Sequence, residues 1–200
     1  MFRVIAMNAA NGLICSNTFK EHLLVKNVEA KLQPYRDLAF FADSMHGSLA
    51  RKLRIFGIDT AYSSSISDER LLWECNCQRR TLLTSDKELF RISLNKRIGS
   101  VLLQGRSDKE NLVKIFGEWN IIELLFDSEY ARCPTCNIKL EEKKKGELDD
   151  LKNLVPPKSF LVYSQFYQCS VCKKIYWEGS HKPSLVSLAK TVTQELYRIS

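Results

Sequence analysis

The chain has 200 residues, 44% of them hydrophobic, with a net charge of +7 and an isoelectric point near 9.0. This composition excludes global disorder and leaves room for one ordinary domain plus a small module. No apolar run has transmembrane length and no signal-peptide core is present, so we expect a cytoplasmic protein with no membrane partner. The positive charge favours a polyanionic partner such as nucleic acid, although a basic surface that only aids solubility explains it equally well.

The first interpretable element begins at Leu38. Residues 1–37 predict nothing distinct: an extra strand pair, a disordered leader and upstream sequence from a misplaced start codon all remain open. The apolar run from Leu38 to Ala42 predicts a buried strand that ends at Asp43. Residues 48–56 then carry apolar side chains at helical spacing, and Gly57 suits the residue that follows a helix.

Strand and helix patterns alternate through the rest of the first two thirds of the chain. The predicted strands are 59–62, 80–84, 98–104 and a final extended piece at 120–126. The predicted helices are 69–79, 87–95 and 108–119. This alternation is typical of a parallel sheet with helices on both faces, and therefore of an α/β fold.

Four cysteines beyond residue 128 form two Cys-x-x-Cys pairs: Cys133 with Cys136, and Cys169 with Cys172. Two intervening residues let one turn present both sulfur atoms to a tetrahedral ion, and four such ligands complete a structural Zn²⁺ site. In a reducing compartment, cysteines favour metal ligation over disulfides. The sequence therefore predicts a zinc ribbon. The other three cysteines follow no ligand spacing, and we interpret them as buried or incidental.

The remaining C-terminal sequence is simpler. The charged stretch 140–151 predicts a solvated helix or loop. Beyond Pro183, apolar residues at helical spacing predict an amphipathic helix that packs onto the body of the protein. We expect four segments: an N-terminal extension (1–37), an α/β domain (38–128), a zinc ribbon (129–182) and a C-terminal helix (183–200).

Acidic residues stand at predicted strand ends and helix starts: Asp43, Asp68, Glu69 and Asp86. The carboxyl ends of parallel strands are where α/β sheets bind ligands. Carboxylates that meet there repel one another unless a cation neutralises them, and Mg²⁺ or Mn²⁺ prefers such oxygen ligands. The simpler alternatives are helix capping by Asp68 and Glu69 and ordinary turns at Asp43 and Asp86.

Basic residues flank these acids. Arg51, Arg54 and Lys87 are candidates for holding the backbone phosphates of a nucleic acid, although a solvated helix face explains any one of them as well. His181 is a possible spare ligand, but four cysteines already fill a zinc site. We therefore expect His181 to contact the substrate or to pack locally.

With these residues in view, the chain resembles the PIN-like ribonuclease domain first named from the C-terminus of the Mut-seven exonuclease, which small microbial proteins carry fused to a zinc ribbon. The resemblance runs from about Phe40 to His181. It is carried by the segments 42–54, 57–60, 68–72, 82–86, 131–137 and 176–181.

The resemblance implies a three-layer PIN-like fold and metal-dependent cleavage of RNA. Asp43, Asp86 and either Asp68 or Glu69 would then bind the catalytic Mg²⁺ or Mn²⁺, with Asp108 a candidate for a fourth acid. The sequence departs from the family pattern in three places. His46 and Ser85 stand where a leucine and an arginine are expected, and Lys173 stands where a glycine is usual.

Three functional hypotheses follow from the sequence. The first is a Mg²⁺- or Mn²⁺-dependent ribonuclease whose zinc ribbon helps to hold RNA. The second is a catalytically weak or inactive protein that binds RNA or the ribosome, which the absence of a basic residue at Ser85 favours. The third is a toxin-like PIN protein that acts with an antitoxin. The RNA substrate, the choice between endo- and exonucleolytic cleavage, and the oligomeric state stay open.

Overall fold

A four-stranded parallel sheet forms the centre of the computed structural model, which describes residues 34–144 and 154–200. Its strands are β1 (Ala39–Ala42), β2 (Asp59–Tyr62), β3 (Thr81–Thr84) and β4 (Ser100–Leu102). The strands lie in the order β2-β1-β3-β4, so β1 and β3 are central neighbours. This order brings the ends of the two strands that precede Asp43 and Asp86 side by side.

Helices cover both faces of the sheet. Those that follow the strands are α1 (Gly47–Ile55), α2 (Asp68–Gln78), α3 (Lys87–Asn95) and α4 (Asp108–Glu118). Helices α1 and α4 pack on one face with the C-terminal helix α6 (Lys182–Ile199), and α2 and α3 pack on the other. The predicted α/β fold with three layers is confirmed.

Alternating side chains on the central strands divide the interior into two cores. Phe40 and Leu83 point into the larger core under α1, α4 and α6, whereas Phe41 and Leu82 point into the smaller core under α2 and α3. All four side chains are almost fully buried. Successive residues of a strand face opposite sides, so a strand buried on both faces is apolar throughout.

The predicted extended piece at 120–126 is not a strand of the described sheet, which ends at β4. Instead, Ile121 and Leu124 are buried in the larger core. The Thr193 hydroxyl of α6 accepts a hydrogen bond from the Leu124 amide at 3.0 Å and donates one to the Leu124 carbonyl. The apolar spacing therefore marks a loop that packs against a helix. Tyr35 is also buried in this core.

The zinc ribbon contains a small antiparallel sheet. Its strands are β5 (Glu141–Lys144), β6 (Gln165–Gln168) and β7 (Ile175–Tyr176), in the order β5-β6-β7, and helix α5 (Pro157–Val162) precedes β6. The expectation of a helix or loop at 140–151 is wrong for residues 141–144, which form β5. Residues 145–151 of that stretch, and residues 1–33, lie outside the described residues.

Helix α6 packs on the body, as its amphipathic pattern predicts. Ala189, Val192 and Leu196 are buried in the larger core. Within residues 34–144 and 154–200, no helix has both the length and the apolar character needed to cross a membrane.

Candidate active site and zinc centre

Asp43 lies at the carboxyl end of β1 with its side chain fixed by hydrogen bonds. Its backbone amide extends the pairing of β1 with β3 by donating to the Leu83 carbonyl at 2.9 Å. Carboxylate Oδ2 accepts from the Thr84 hydroxyl at 2.8 Å, while Oδ1 accepts from the amide and hydroxyl of Ser44. The residue is only 7% exposed. These three donors hold the carboxylate in one orientation.

Thr84 also connects Asp43 to Asp86. Its hydroxyl oxygen accepts from the Asp86 amide at 3.0 Å while its proton is donated to Asp43. The Asp86 carboxylate caps helix α3 by accepting from the amides of Glu88 and Leu89 at 2.7 and 3.0 Å. The structure therefore joins these two acids through one buried hydroxyl at neighbouring strand ends.

The turn between β1 and α1 approaches the neighbouring strand closely. The Tyr62 hydroxyl, at the end of β2, donates to the Ser44 carbonyl at 3.1 Å. A Cβ atom added to Gly47 would lie 2.7 Å from the Tyr62 ring. A side chain at the first position of α1 would therefore have to displace the Tyr62 ring, whose hydroxyl bonds the turn that carries Asp43.

Asp108 is the first residue of α4 and follows the loop after β4. Its carboxylate accepts from the Ser48 hydroxyl at 2.7 Å and from the Lys52 ammonium at 2.5 Å, both on α1. Burial acts to raise the pKa of Asp108, but these two donors outweigh it and hold the pKa below its ordinary value. Asp108 is thus an ionised acid at the same edge of the sheet, with its charge partly balanced by Lys52.

His46 lies between these acids. Its Nε2 is 2.9 Å from the Ser85 hydroxyl, so the two positions that depart from the family pattern contact each other. Burial lowers the pKa of His46, while the charges of Asp43 and Asp108 act to raise it. The ring therefore links the loops that follow β1 and β3.

Asp68 and Glu69 occupy the first turn of α2, where both are exposed. Ser67 caps this helix by accepting from the Arg70 amide. Carboxylates in a first turn are favoured by the helix dipole, so both acids have a structural role without any metal. Among residues 34–144 and 154–200, no three carboxylate or imidazole groups place ligand atoms within 4.8 Å of one another.

The carboxyl edge nevertheless suits a hard cation. Mg²⁺ is commonly held in proteins by one or two carboxylates and completes its shell with water and substrate oxygens. Asp43 and Asp86 supply two carboxylates from adjacent strands, and the exposed side of Asp86 leaves access for solvent and substrate. The donor set therefore fits Mg²⁺ or Mn²⁺.

The four ribbon cysteines form a compact cluster. The sulfur atoms of Cys133, Cys136, Cys169 and Cys172 all lie within 4.8 Å of one another. The Cys133 and Cys172 sulfurs are 3.6 Å apart, close to the spacing of about 3.8 Å that Zn–S bonds of about 2.3 Å give in a tetrahedron. The predicted cluster is confirmed as a site for one metal ion, and a set of four cysteines is typical of structural zinc.

The two Cys-x-x-Cys turns have the same backbone conformation. In the first knuckle (Cys133–Asn137) the Cys136 amide donates to the Cys133 sulfur at 3.4 Å, and in the second (Cys169–Lys173) the Cys172 amide donates to the Cys169 sulfur at 3.5 Å. The last residue of each has a left-handed backbone, with φ of 63° at Asn137 and 60° at Lys173. This conformation explains why a glycine is favoured at that position.

In the first knuckle the thiolate is favoured at Cys133, whereas burial and the neighbouring cysteine sulfurs raise the pKa of Cys136 to about 12. Burial opposes ionisation of Cys133, but hydrogen bonds from the Tyr176 hydroxyl and from backbone amides outweigh it and lower the pKa to about 6. Zinc binds thiolates, so this environment prepares the ligand for the metal.

The profile of the Mut7-C RNAse domain matches residues 38–188, which include the acidic strand ends and all four ligand cysteines. The chain belongs to the Mut7-C RNAse domain family. Comparisons with curated proteins and with solved structures gave no match. The family suggests a ribonuclease-like function with RNA as the substrate.

In this Mut7-C domain the first knuckle docks against strand β2 through Arg54. Arg54 is 5% exposed and donates to the carbonyls of Thr60, Pro134 and Thr135 at 2.8, 2.7 and 3.1 Å. Burial lowers its pKa, whereas the nearby Cys133 and Asp59 act to raise it. Arg54 was predicted to hold phosphate, but its guanidinium is occupied by these three carbonyls.

Asn137 completes the docking. Its side chain accepts from the Thr60 amide at 3.1 Å and donates to the Asp59 carboxylate at 2.6 Å. Arg80 also pairs with Asp59, at 2.7 Å. Arg54 and Asn137 therefore pair with the carbonyl and the amide of Thr60 on the edge strand β2. Without these partners, the two groups could pair with a strand of another chain.

The other predicted phosphate contacts remain accessible. Arg51 is exposed on α1, with its Nε donating to the Gly47 carbonyl, and Lys87 is exposed in the first turn of α3 beside Asp86. His181 is exposed at the start of α6, and its side chain makes no capping hydrogen bond. These three side chains are free to meet a substrate in the geometry described.

Sequence reasoning missed several residues that shape both sites. Thr84 entered the sequence analysis only within the predicted strand 80–84, yet its hydroxyl links the two acids. Asp59 and Asn137 had no assigned role, although each lies within a segment that carries the family resemblance (57–60 and 131–137). The left-handed backbone needed after a Cys-x-x-Cys pair is the one signal that singles out Asn137.

Proposed function

We propose that this protein is a metal-dependent ribonuclease that hydrolyses RNA phosphodiester bonds at the carboxyl edge of its sheet. The observation that carries the proposal is the buried pair of hydrogen bonds through which Thr84 joins Asp43 to Asp86. In a chain of a ribonuclease family, acids fixed at neighbouring strand ends have the position expected of cation ligands.

Each acid has a distinct part in this proposal. Asp43 and Asp86 would hold Mg²⁺ or Mn²⁺, and such an ion supplies an activated water and stabilises the charge that develops on the leaving oxygen. Thr84 keeps the Asp43 carboxylate oriented through its 2.8 Å hydrogen bond. Asp68 and Glu69, exposed beyond β2, would orient water and substrate from the neighbouring strand end.

RNA would be held by the basic residues that remain free. Arg51, Lys87 and His181 are exposed, and the second zinc knuckle presents Lys173 and Lys174 to solvent. The first knuckle is occupied by its contacts with Arg54 and β2, so we assign RNA binding to the second. Cations at these positions attract phosphate without selecting a base sequence.

The proposal is tested by a cleavage assay on single-stranded and structured RNAs with Mn²⁺, Mg²⁺ or EDTA. We expect cleavage with either metal, none with EDTA, and none in Asp43→Asn or Asp86→Asn, while both variants stay folded, as a cooperative thermal melt would show. Asp37→Asn is the matched control, because Asp37 is exposed and precedes β1, whereas Asp43 follows it. Full cleavage activity in both Asp43→Asn and Asp86→Asn would contradict the proposed mechanism.

One observation favours a second candidate, an RNA-binding protein with little or no turnover. Within the described parts of the chain, the acids do not gather three carboxylates at metal-binding distance of one another. RNA binding measured beside cleavage separates the two candidates. Tight, EDTA-insensitive binding with no cleavage at any metal concentration would establish the binding protein.

A further inference from the structure

A shallow groove of about 370 Å³ lies along helix α2, on the face of the sheet opposite α1 and α4. It is lined by Glu69, Leu72, Trp73, Asn76, Lys96 and Ile98. The four residues from α2 share one face of the helix because they are spaced by three and four positions. The groove reaches Glu69 in the first turn of α2, so one end of it lies beside the acids that follow β2.

Trp73 is the unusual residue of this groove. It is 51% exposed, whereas Leu71, Leu72 and Cys75 already complete the core beneath α2. An exposed indole on a helix that needs no further apolar contact is a feature of binding surfaces.

The indole is nevertheless held in place. The Arg70 guanidinium lies 4.1 Å from the centre of the Trp73 ring. Glu74 fixes that guanidinium by accepting from its Nε at 3.0 Å and its Nη2 at 2.6 Å. Arg70 and Glu74 do not line the groove, so they brace the indole from outside it. A ring oriented in advance loses little entropy when a second flat group stacks on it.

Basic residues outnumber acidic ones near the groove. Lys96 and the acidic Glu69 both line it, Arg97 is the residue after Lys96, and Arg79 is the C-cap of α2; all three basic side chains are exposed. The Glu74 charge is paired with Arg70. Aromatic faces that stack bases, combined with cations that track phosphates, are how proteins hold single-stranded nucleic acid. Asn76 adds an amide that can pair with the edge of a base.

We propose that this groove binds single-stranded RNA, with one base stacked on Trp73 and an adjoining phosphate at Lys96, and leads the strand past Glu69 to the carboxyl edge. The inference rests on the proposed function, since it concerns the substrate of that site. A duplex does not fit it, because paired bases hide the faces that the indole would stack on.

The test uses the full-length protein with the cleavage-blocking substitution Asp43→Asn, so that bound RNA stays intact. Binding of a labelled single-stranded oligonucleotide and of the corresponding duplex is measured for Trp73→Ala, Trp73→Phe and Lys96→Gln. Tyr197→Ala is the matched control, because Tyr197 is 58% exposed and lies on α6, across the sheet from the groove.

We expect Trp73→Ala to weaken single-strand binding by about five- to 150-fold, the effect of losing one stacked base. Trp73→Phe should recover most of this affinity, Tyr197→Ala should change nothing, and duplex binding should stay the same in all of them. Lys96→Gln should reduce the slope of log affinity against log salt by about 0.7. RNA should also quench the tryptophan fluorescence of the protein that retains Trp73 more than that of the Trp73→Phe variant.

The experiment gives different results if the groove proposal is wrong and if the proposed nuclease function is wrong. Unchanged single-strand affinity in Trp73→Ala, with normal cleavage by the wild type, would overturn the groove and leave the nuclease intact. An equal loss for single strand and duplex would also overturn it, because stacking would not be the cause. If the wild type neither binds nor cleaves RNA, the proposed function itself fails.

Discussion

The cysteine cluster and the acidic site that we propose for a catalytic metal are built in opposite ways. The cysteine cluster takes two ligands from each of two short turns, and all its sulfur atoms lie within 4.8 Å of one another. The acids come from separate strand ends, and Thr84 joins only Asp43 and Asp86 directly. A closed set of four protein ligands suits a structural ion, whereas an incomplete set leaves positions for water and substrate. The difference predicts that one site maintains the fold and the other performs chemistry.

The largest effect should come from the closed site. Cys169→Ser removes one thiolate from the cluster, and structural zinc contributes roughly 10 kcal/mol or more to the folding of small zinc modules. We expect loss of bound zinc and loss of amide protection in β5, β6 and β7, with the parallel sheet still folded. Zinc analysis and hydrogen exchange measure both.

Cys77→Ser is the control for that experiment, because Cys77 is an exposed free thiol outside the cluster. It should keep its zinc. If Cys169→Ser retained both the metal and the ribbon, the closed site would not be structural and the contrast with the acidic site would disappear.

Arg54→Met should separate the ribbon from the sheet. It leaves three backbone carbonyls without the donor they have now, at a cost of about 3 kcal/mol. We expect a lower melting temperature and faster exchange at the Thr60 amide, with zinc still bound. Arg51→Met is the matched control: it lies one turn earlier on α1, is exposed, and should change stability by less than about 0.5 kcal/mol. Equal effects in the two variants would contradict the docking role.

Thr84→Val tests the open site without touching an acid. The substitution keeps the shape of a fully buried side chain but removes the donor to Asp43 and the acceptor for the Asp86 amide. We expect a stability loss of about 2 kcal/mol and a fall in metal-dependent cleavage, measured against a Thr84→Ser protein that retains the hydroxyl. Cleavage equal to that of Thr84→Ser would show that the link between the acids is only structural.

The contrast between the sites also explains how much the sequence could predict. The ligands within each pair of the zinc cluster are three residues apart, so local spacing alone identifies them. The strands and helices of the sheet are visible as local periodicity, and the helix predicted at residues 87–95 matches α3 in both bounds. These features depend on neighbours in sequence.

Long-range contacts were not visible in the same way. Arg54 is three residues from Arg51, and both resemble phosphate ligands on a helix face. Arg54 finds one acceptor at Thr60, six residues later, and two more in the turn at Pro134 and Thr135, about 80 residues later. The role of Thr84 likewise depends on the adjacency of β1 and β3, which periodicity does not specify. Residue type identified the candidates, but the fold decided which of them are free.

The smallest expected change in stability distinguishes the two zinc knuckles, which have the same backbone conformation but different side-chain contacts. Lys173 and Asn137 both have left-handed backbones, a conformation that costs a residue with a Cβ roughly 1 kcal/mol. Because the Asn137 side chain holds Thr60 and Asp59, Asn137→Gly should destabilise the protein despite relieving this strain. The Lys173 side chain is exposed, so Lys173→Gly should stabilise by about 0.5 kcal/mol after the entropy of glycine is subtracted. Thermal melts of the zinc-loaded proteins give both signs. If Lys173→Gly also binds RNA more weakly than the wild type does, Lys173 contributes to RNA binding at the expense of stability. If the RNA affinity is unchanged, the second knuckle is not part of the RNA-binding surface.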